Sequence, residues 1–254
     1  MSTPDIRPAT VGWFEITTTD PARSQEFYRT LLDWKFTALA DDDAYCAITA
    51  PAAASAMGAL RRGERDTVSL GVVCDDVTAA IAPLRALGAT LVEPPARTPA
   101  GDVHAVVTDV RGNRLGLFEP GSRYEPEPPA PNATAWFEIG TNDPAATRTF
   151  YERAFGWRQQ RDEAAVGVEY YGFLPPGARE PIGGVLDLSG TPEAADYAIP
   201  GLLVDDVPDL LERCEAGGGR RVTGPFADAD GLVIGQFTDP LGIRWSSFSR
   251  PAGA

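Results

Sequence analysis

Two glutamates, two tryptophans and a single histidine are the side chains of this 254-residue sequence best placed to do chemistry. Glu15 and Glu138 each stand two residues after an indole, in Trp13-Phe14-Glu15-Ile16 and Trp136-Phe137-Glu138-Ile139. A carboxylate beside an indole in a dry concavity is suited to general-base work. It can equally hold a ligand's hydroxyl or amine, or form a structural ion pair with Arg114 and Arg244, which recur in the same way. An imidazole is the side chain suited to proton transfer near neutral pH. His104 therefore reads either as an acid–base partner of Glu15 or as an ordinary hydrogen-bonded strand residue. Trp13 and Trp136 offer flat apolar faces to a planar ligand. Phe118, Phe248, Ser246 and Gln236, with Tyr170 and Tyr171, are candidates for the remaining lining. Nothing marks a nucleophile: Gly-x-Ser-x-Gly is absent, and Cys46, Cys74 and Cys214 read as packing residues.

The elements that position these residues repeat. Trp13, Phe27-Tyr28 and Trp34 recur as Trp136, Phe150-Tyr151 and Trp157, always 123 residues on. Later landmarks recur 130 residues on: Asp75-Asp76-Val77 as Asp205-Asp206-Val207, Gly88 as Gly218, and Thr108-Asp109 with Gly112 as Thr238-Asp239 with Gly242. The second copy thus carries a seven-residue insertion in its middle. A proline-rich stretch, 120–132, reads as a semi-rigid linker between a domain at 8–119 and another at 133–250.

Within the first copy, alternation predicts a strand over Val11–Thr17. Asp20-Pro21 then supplies an N-cap and a first helical residue. Short strands follow near Tyr45–Ile48 and Gly58–Leu60. A further strand runs from Val68 to Val73, and a helix from Asp76 to the stop at Gly88. Three strands close the copy, near Thr90–Val92, Val103–Thr108 and Arg114–Phe118. The period of two then assigns faces. Phe14, Ile16, Ala105, Val107, Leu115 and Leu117 lie under the helices. Trp13, Glu15, His104, Arg114, Gly116 and Phe118 turn to the other, concave side. Their second-copy counterparts there are Trp136, Glu138, Ile234, Arg244, Ser246 and Phe248.

The formal charge of −14, with Lys35 as the sole lysine, opposes binding to phosphate backbones or anionic lipid, so no nucleic-acid or membrane partner is expected. No run approaches a membrane span, and the N-terminus shows no apolar leader. Three scattered cysteines fit a reducing compartment, and the expected location is cytoplasmic.

The Asp-Pro-Ala and Phe-Tyr motifs, Gly156-Trp157, the two Asp-Asp-Val segments and Thr238-Asp239-Pro240-Leu241-Gly242 together resemble the vicinal oxygen chelate superfamily. That superfamily includes glyoxalase I, extradiol dioxygenases, and bleomycin- and fosfomycin-resistance proteins. The resemblance implies an α+β fold of two tandem domains, each built from paired βαβββ modules forming a curved, cup-like sheet. Metal-using relatives bind their ion through the first, fifth and eighth strands. Those positions fall here on Trp13 and Trp136, near Ser69 and Ile199, and on Gly116 and Ser246. No catalytic metal is expected, nor any other cofactor, and Glu15 with His104 would supply only two ligands. The expected function is metal-independent binding of an aromatic or polycyclic small molecule, of a sequestration or resistance type. The alternative is a metal-independent isomerase, cyclase or lyase using a cup carboxylate as base. A protein-interaction scaffold with filled cups is a third reading.

Overall fold

The structure is a computed structural model that describes residues 8–39, 44–121, 128, 130–191 and 193–251. The first copy of the repeat forms β1 (Pro8–Thr18), α1 (Pro21–Leu32), β2 (Lys35–Ala38), β3 (Tyr45–Thr49), β4 (Gly58–Arg62), β5 (Thr67–Cys74), α2 (Val77–Ala86), β6 (Thr90–Arg97), β7 (Val103–Thr108) and β8 (Arg114–Glu119). The second forms β9 (Ala133–Thr141), α3 (Pro144–Phe155), β10 (Arg158–Arg161), β11 (Tyr170–Leu174), β12 (Gly183–Asp187), β13 (Tyr197–Leu203), α4 (Val207–Ala216), β14 (Arg220–Ala227), β15 (Val233–Thr238) and β16 (Arg244–Ser249). Each copy is thus a βαβββ module repeated. Its eight strands make one open sheet, in the order β2-β3-β4-β1-β5-β8-β7-β6 or β10-β11-β12-β9-β13-β16-β15-β14. The strands β2 and β10 lie at sheet edges and read Lys-Phe-Thr-Ala and Arg-Gln-Gln-Arg, so periodicity does not announce them. Most of the linker expected over 120–132 lies outside the described residues.

The helix signals in the sequence act as read. Asp20, Asp76, Asp143 and Asp206 each cap a helix by accepting from a backbone N–H three residues on. Helix α1 buries Phe27, Leu31 and Leu32. Past α2, Gly88 takes a positive φ of 103°, and past α4 Gly218 takes 86°.

The chain forms two compact units, each taking one module from either copy. One holds the described residues within 1–13, 69–126 and 137–198; the other holds those within 14–68, 127–136 and 199–254. In the first unit Leu70, Val72, Ala105, Val107, Leu115 and Leu117 share a core with Phe137, Ile139, Phe150, Tyr151 and Trp157. In the second, Phe14, Ile16, Tyr28, Trp34 and Leu60 share one with Leu202, Val204, Leu210, Phe237 and Trp245. The repeat motifs meet at these cores. The Tyr28 hydroxyl donates to Asp239 (2.9 Å) and the Tyr151 hydroxyl to Asp109 (2.9 Å). The indole of Trp34 donates to the Asn132 carbonyl and that of Trp157 to the Ala9 carbonyl.

Two glycines permit the packing of the first strand of each copy on its neighbour. Gly58 is the register partner of Phe14, and Gly183 stands on β12, the parallel neighbour of β9, against the Phe137 ring. A Cβ on Gly58 would come within 2.7 Å of the Phe14 ring, and one on Gly183 within 2.2 Å of the Phe137 ring. Gly183→Ala is expected to overpack this contact and lower stability by about 2 kcal/mol, read as a lower urea midpoint at unchanged slope.

Candidate functional site

In the first unit, Trp13 from β1 and Phe118 from β8 lie face to face, with ring centroids 4.7 Å apart and planes 2° from parallel. Phe118 is buried and backs the indole; Trp13 stays partly exposed. Beneath them the sheet carries two glycines side by side, since Gly71 of β5 pairs in register with Gly116 of β8. A Cβ on Gly71 would strike the Cβ of Trp13 at 2.6 Å, so glycine there lets β1 lie close. A Cβ on Gly116 would sit 2.9 Å from Nε2 of His104. His104 lies on β7 as the register partner of Phe118. It is only 9% exposed, and its Nε2 is buried without a hydrogen-bond partner among the described residues. Leaving a buried polar atom unsatisfied costs about 1–3 kcal/mol.

The charged residues expected on this side are bonded differently from the sequence expectation. Glu15, 3% exposed on β1, accepts from Arg61 Nε at 2.6 Å, within the second unit. Its expected partner Arg114 donates instead to Glu93 at 2.7 Å, within the first unit. Alternation assigns each residue a face but not its neighbour on that face, and Arg61 reaches Glu15 from the parallel strand β4, where Ala59 is its register partner. Glu138, also buried, accepts at 2.5 Å from the hydroxyl of Tyr197 on β13. The Tyr197 ring lies over Gly140, where a Cβ would meet it at 2.2 Å. A Cβ on Gly184, the register partner of Glu138, would likewise lie 2.2 Å from the Tyr170 hydroxyl. Tyr197 escaped notice in the sequence because no counterpart of it repeats in the first copy.

In the second unit, Trp136 stands over Gly201 as Trp13 stands over Gly71; a Cβ on Gly201 would lie 2.9 Å from that of Trp136. Ser246 is the register partner of Gly201 and of Gln236. Arg244 donates through Nε to Gln236 Oε1 at 3.0 Å, and through a terminal nitrogen to the same oxygen. Phe248 is partly exposed and pairs with Ile234, the residue standing where the first copy has His104. On the helix side of this unit, an open groove of about 500 Å³ is lined by Phe27, Leu31, Ala216 and Pro240, away from all of these side chains.

The positions that the resemblance assigns to a metal-binding triad carry an indole at Trp13, a hydroxyl near Ser69 and no side chain at Gly116. In the second copy they carry an indole at Trp136, an alkyl group near Ile199 and a hydroxyl at Ser246. Such donor sets do not fit a divalent ion of the His/Glu type. Among the described residues, no group of three or more His, Cys, Asp or Glu side chains is placed to hold a metal ion. Nor is any helix among them long and apolar enough to cross a membrane.

Residues 13–118 match the model of a glyoxalase-like domain, and residues 133–246 that of the glyoxalase/bleomycin resistance protein/dioxygenase superfamily. Among curated proteins, the chain is 31% identical over 139 residues to the anthracycline biosynthesis protein DnrV of Streptomyces peucetius. The match takes in 49% of this chain and 46% of that protein, so it spans about half of the relative's length. Among solved structures, homoprotocatechuate 2,3-dioxygenase from Brevibacterium fuscum aligns with a TM-score of 0.67 at 15% identity, over 98% of this chain and 73% of that one. The 2,3-dioxygenase LapB of Pseudomonas sp. KL28 aligns with a TM-score of 0.62 at 13% identity, over 99% and 94% of the two chains. At these identities the likeness is one of fold.

Proposed function

The chain belongs to the glyoxalase/bleomycin resistance protein/dioxygenase superfamily, and from that premise we propose that it binds a planar, largely apolar aromatic small molecule without a catalytic metal. The observation that carries this reading is the Trp13–Phe118 stack. Phe118 holds the indole flat, and the remaining indole face is a preformed platform for a fused-ring ligand. The two glycines beneath it and the non-ligating residues at the triad positions support a site for rings in place of a metal centre. The likeness of half the chain to a protein named for anthracycline biosynthesis favours a polycyclic aromatic over a small aliphatic substrate. The charge of −14 argues against competing binding to nucleic acid or anionic membrane. The role so defined is sequestration or carriage of the ligand.

A second reading follows from one contact. Glu138, held by the Tyr197 phenol, is a carboxylate–phenol pair able to pass a proton to and from a bound ligand. It favours a metal-independent isomerase, cyclase or lyase.

The test is a titration of chelator-treated protein with 1,8-dihydroxyanthraquinone, followed by tryptophan fluorescence and by mass spectrometry of the small molecule. The ligand is expected to bind and be recovered unchanged. Trp13→Ala is expected to weaken binding at least about tenfold, the loss of one stacking face being worth some 1.5 kcal/mol. Equal binding by Trp13→Ala would sink the platform. A product separable from the ligand by chromatography, of changed or unchanged mass, whose formation is abolished in Tyr197→Phe and Glu138→Gln would promote the second reading. Turnover appearing only on restoring a divalent metal would overturn metal independence.

A further inference from the structure

The first copy contains a buried imidazole nitrogen that no group among the described residues satisfies. His104 Nε2 has no hydrogen-bond partner, and the residue is only 9% exposed. Native structures keep few such atoms, and those they keep call for a reason. The placement here is specific. The imidazole fits over the sheet only because residue 116 is glycine, a Cβ at that point falling 2.9 Å from Nε2. His104 is also the register partner of Phe118, the ring that backs Trp13. One polar atom therefore lies buried over Gly116, on the strand next to the ring that backs Trp13. The second copy has abandoned both parts of the arrangement, with Ile234 in place of the histidine and Ser246 in place of the glycine. An isoleucine needs no partner; a histidine held for packing alone could have been replaced in the same way.

We propose that His104 is a specificity-determining residue of the first copy, whose Nε2 reads an oxygen substituent on the rim of a planar aromatic ligand stacked on Trp13. The inference rests on the aromatic-binding reading above and adds the ligand's polar group. Imidazole Nε2 can accept from a phenolic hydroxyl or donate to a ring carbonyl, according to tautomer. The class is accordingly that of hydroxy- or oxo-arenes. An unsubstituted or methyl-substituted arene of the same size would leave the nitrogen unsatisfied, and buried mismatches of this kind discriminate strongly.

His104 is the only histidine in the chain, so in a protein freed of any polyhistidine tag its imidazole signals need no assignment. The experiment compares 2-anthrol with 2-methylanthracene, two arenes alike in size that differ in the oxygen. Binding of each is followed by fluorescence and by two-bond proton–nitrogen correlation on 15N-labelled protein. 2-Anthrol is expected to bind at least about tenfold more tightly, the worth of one buried hydrogen bond, and to move the Nε2 resonance. 2-Methylanthracene should leave that resonance in place. His104→Ile, which copies the second copy's residue, should erase the preference while retaining 2-methylanthracene binding. If both arenes bind alike and Nε2 does not respond, the role of His104 is refuted while aromatic binding stands. If neither arene binds, both readings fall together. The spectra use the unsubstituted protein, so the outcome does not depend on whether His104→Ile folds.

Discussion

Asp239→Ala is expected to lower the free energy of unfolding by about 3 kcal/mol, to be read from urea denaturation at neutral pH. Asp239 is 2% exposed and serves two structures at once. Its Oδ1 accepts from the backbone N–H groups of Leu241 (2.9 Å) and Ile243 (2.8 Å), closing the turn before β16. Its Oδ2 accepts from Tyr28, a residue 211 positions away in the other copy, and Tyr28 in turn accepts from the indole of Trp245. Truncation opens the turn and strands a fully buried phenol. The same carboxyl makes stability depend on pH. Burial pushes it above its ordinary value, with the N–H of Ile243, the phenol of Tyr28 and the N–H of Leu241 pulling the other way. A carboxyl raised in the folded state contributes stability that is fully present below its unfolded value and is lost as pH rises through the folded one. Wild type should therefore lose stability relative to Asp239→Asn as pH climbs from acid through that window. A gap that stays constant or opens the other way would show that Asp239 is not raised by burial.

This network shows where the sequence stops being legible. Phe27-Tyr28 and Thr238-Asp239 stand out as repeat markers on sequence alone, and so do their counterparts Phe150-Tyr151 and Thr108-Asp109. That Tyr28 meets Asp239, and Tyr151 meets Asp109, depends on modules from different copies sharing a core. No local periodicity encodes that choice. The alternation of β1, β7 and β8 correctly puts Phe14, Ile16, Ala105, Val107, Leu115 and Leu117 into the cores and leaves Trp13, His104 and Phe118 out of them. Side-chain neighbours are a different matter. Arg61, Glu93 and Tyr197 sit on strands whose lateral order is fixed by the fold, so alternation alone does not name them as the partners of Glu15, Arg114 and Glu138. Tyr197 was further hidden because it comes after the insertion that breaks the repeat register.

The two glutamates occupy equivalent positions in different chemistry, and Arg61→Met measures the difference. Methionine keeps much of the stem's packing and removes the charge that meets Glu15 at 2.6 Å. Glu15 would then be a buried carboxylate without its counter-charge, and loss of one member of such a pair costs about 3 kcal/mol. Arg61→Met is expected to show that loss in urea unfolding, and Arg61→Met with Glu15→Gln to recover most of it, because the amide needs no counter-ion. An additive double variant would mean that the pair is not coupled. Recovery would identify Glu15 as a neutralised structural carboxylate, while Glu138 in the second copy is held by a phenol that can itself give up or take a proton. The proposed second reading then rests on Glu138 and Tyr197, and the proposed ring-binding platform on Trp13, Phe118 and His104. Under these two proposals the Arg61→Met/Glu15→Gln protein is expected to bind 1,8-dihydroxyanthraquinone as wild type does. A lost affinity in that folded double variant would return Glu15 to the ligand site.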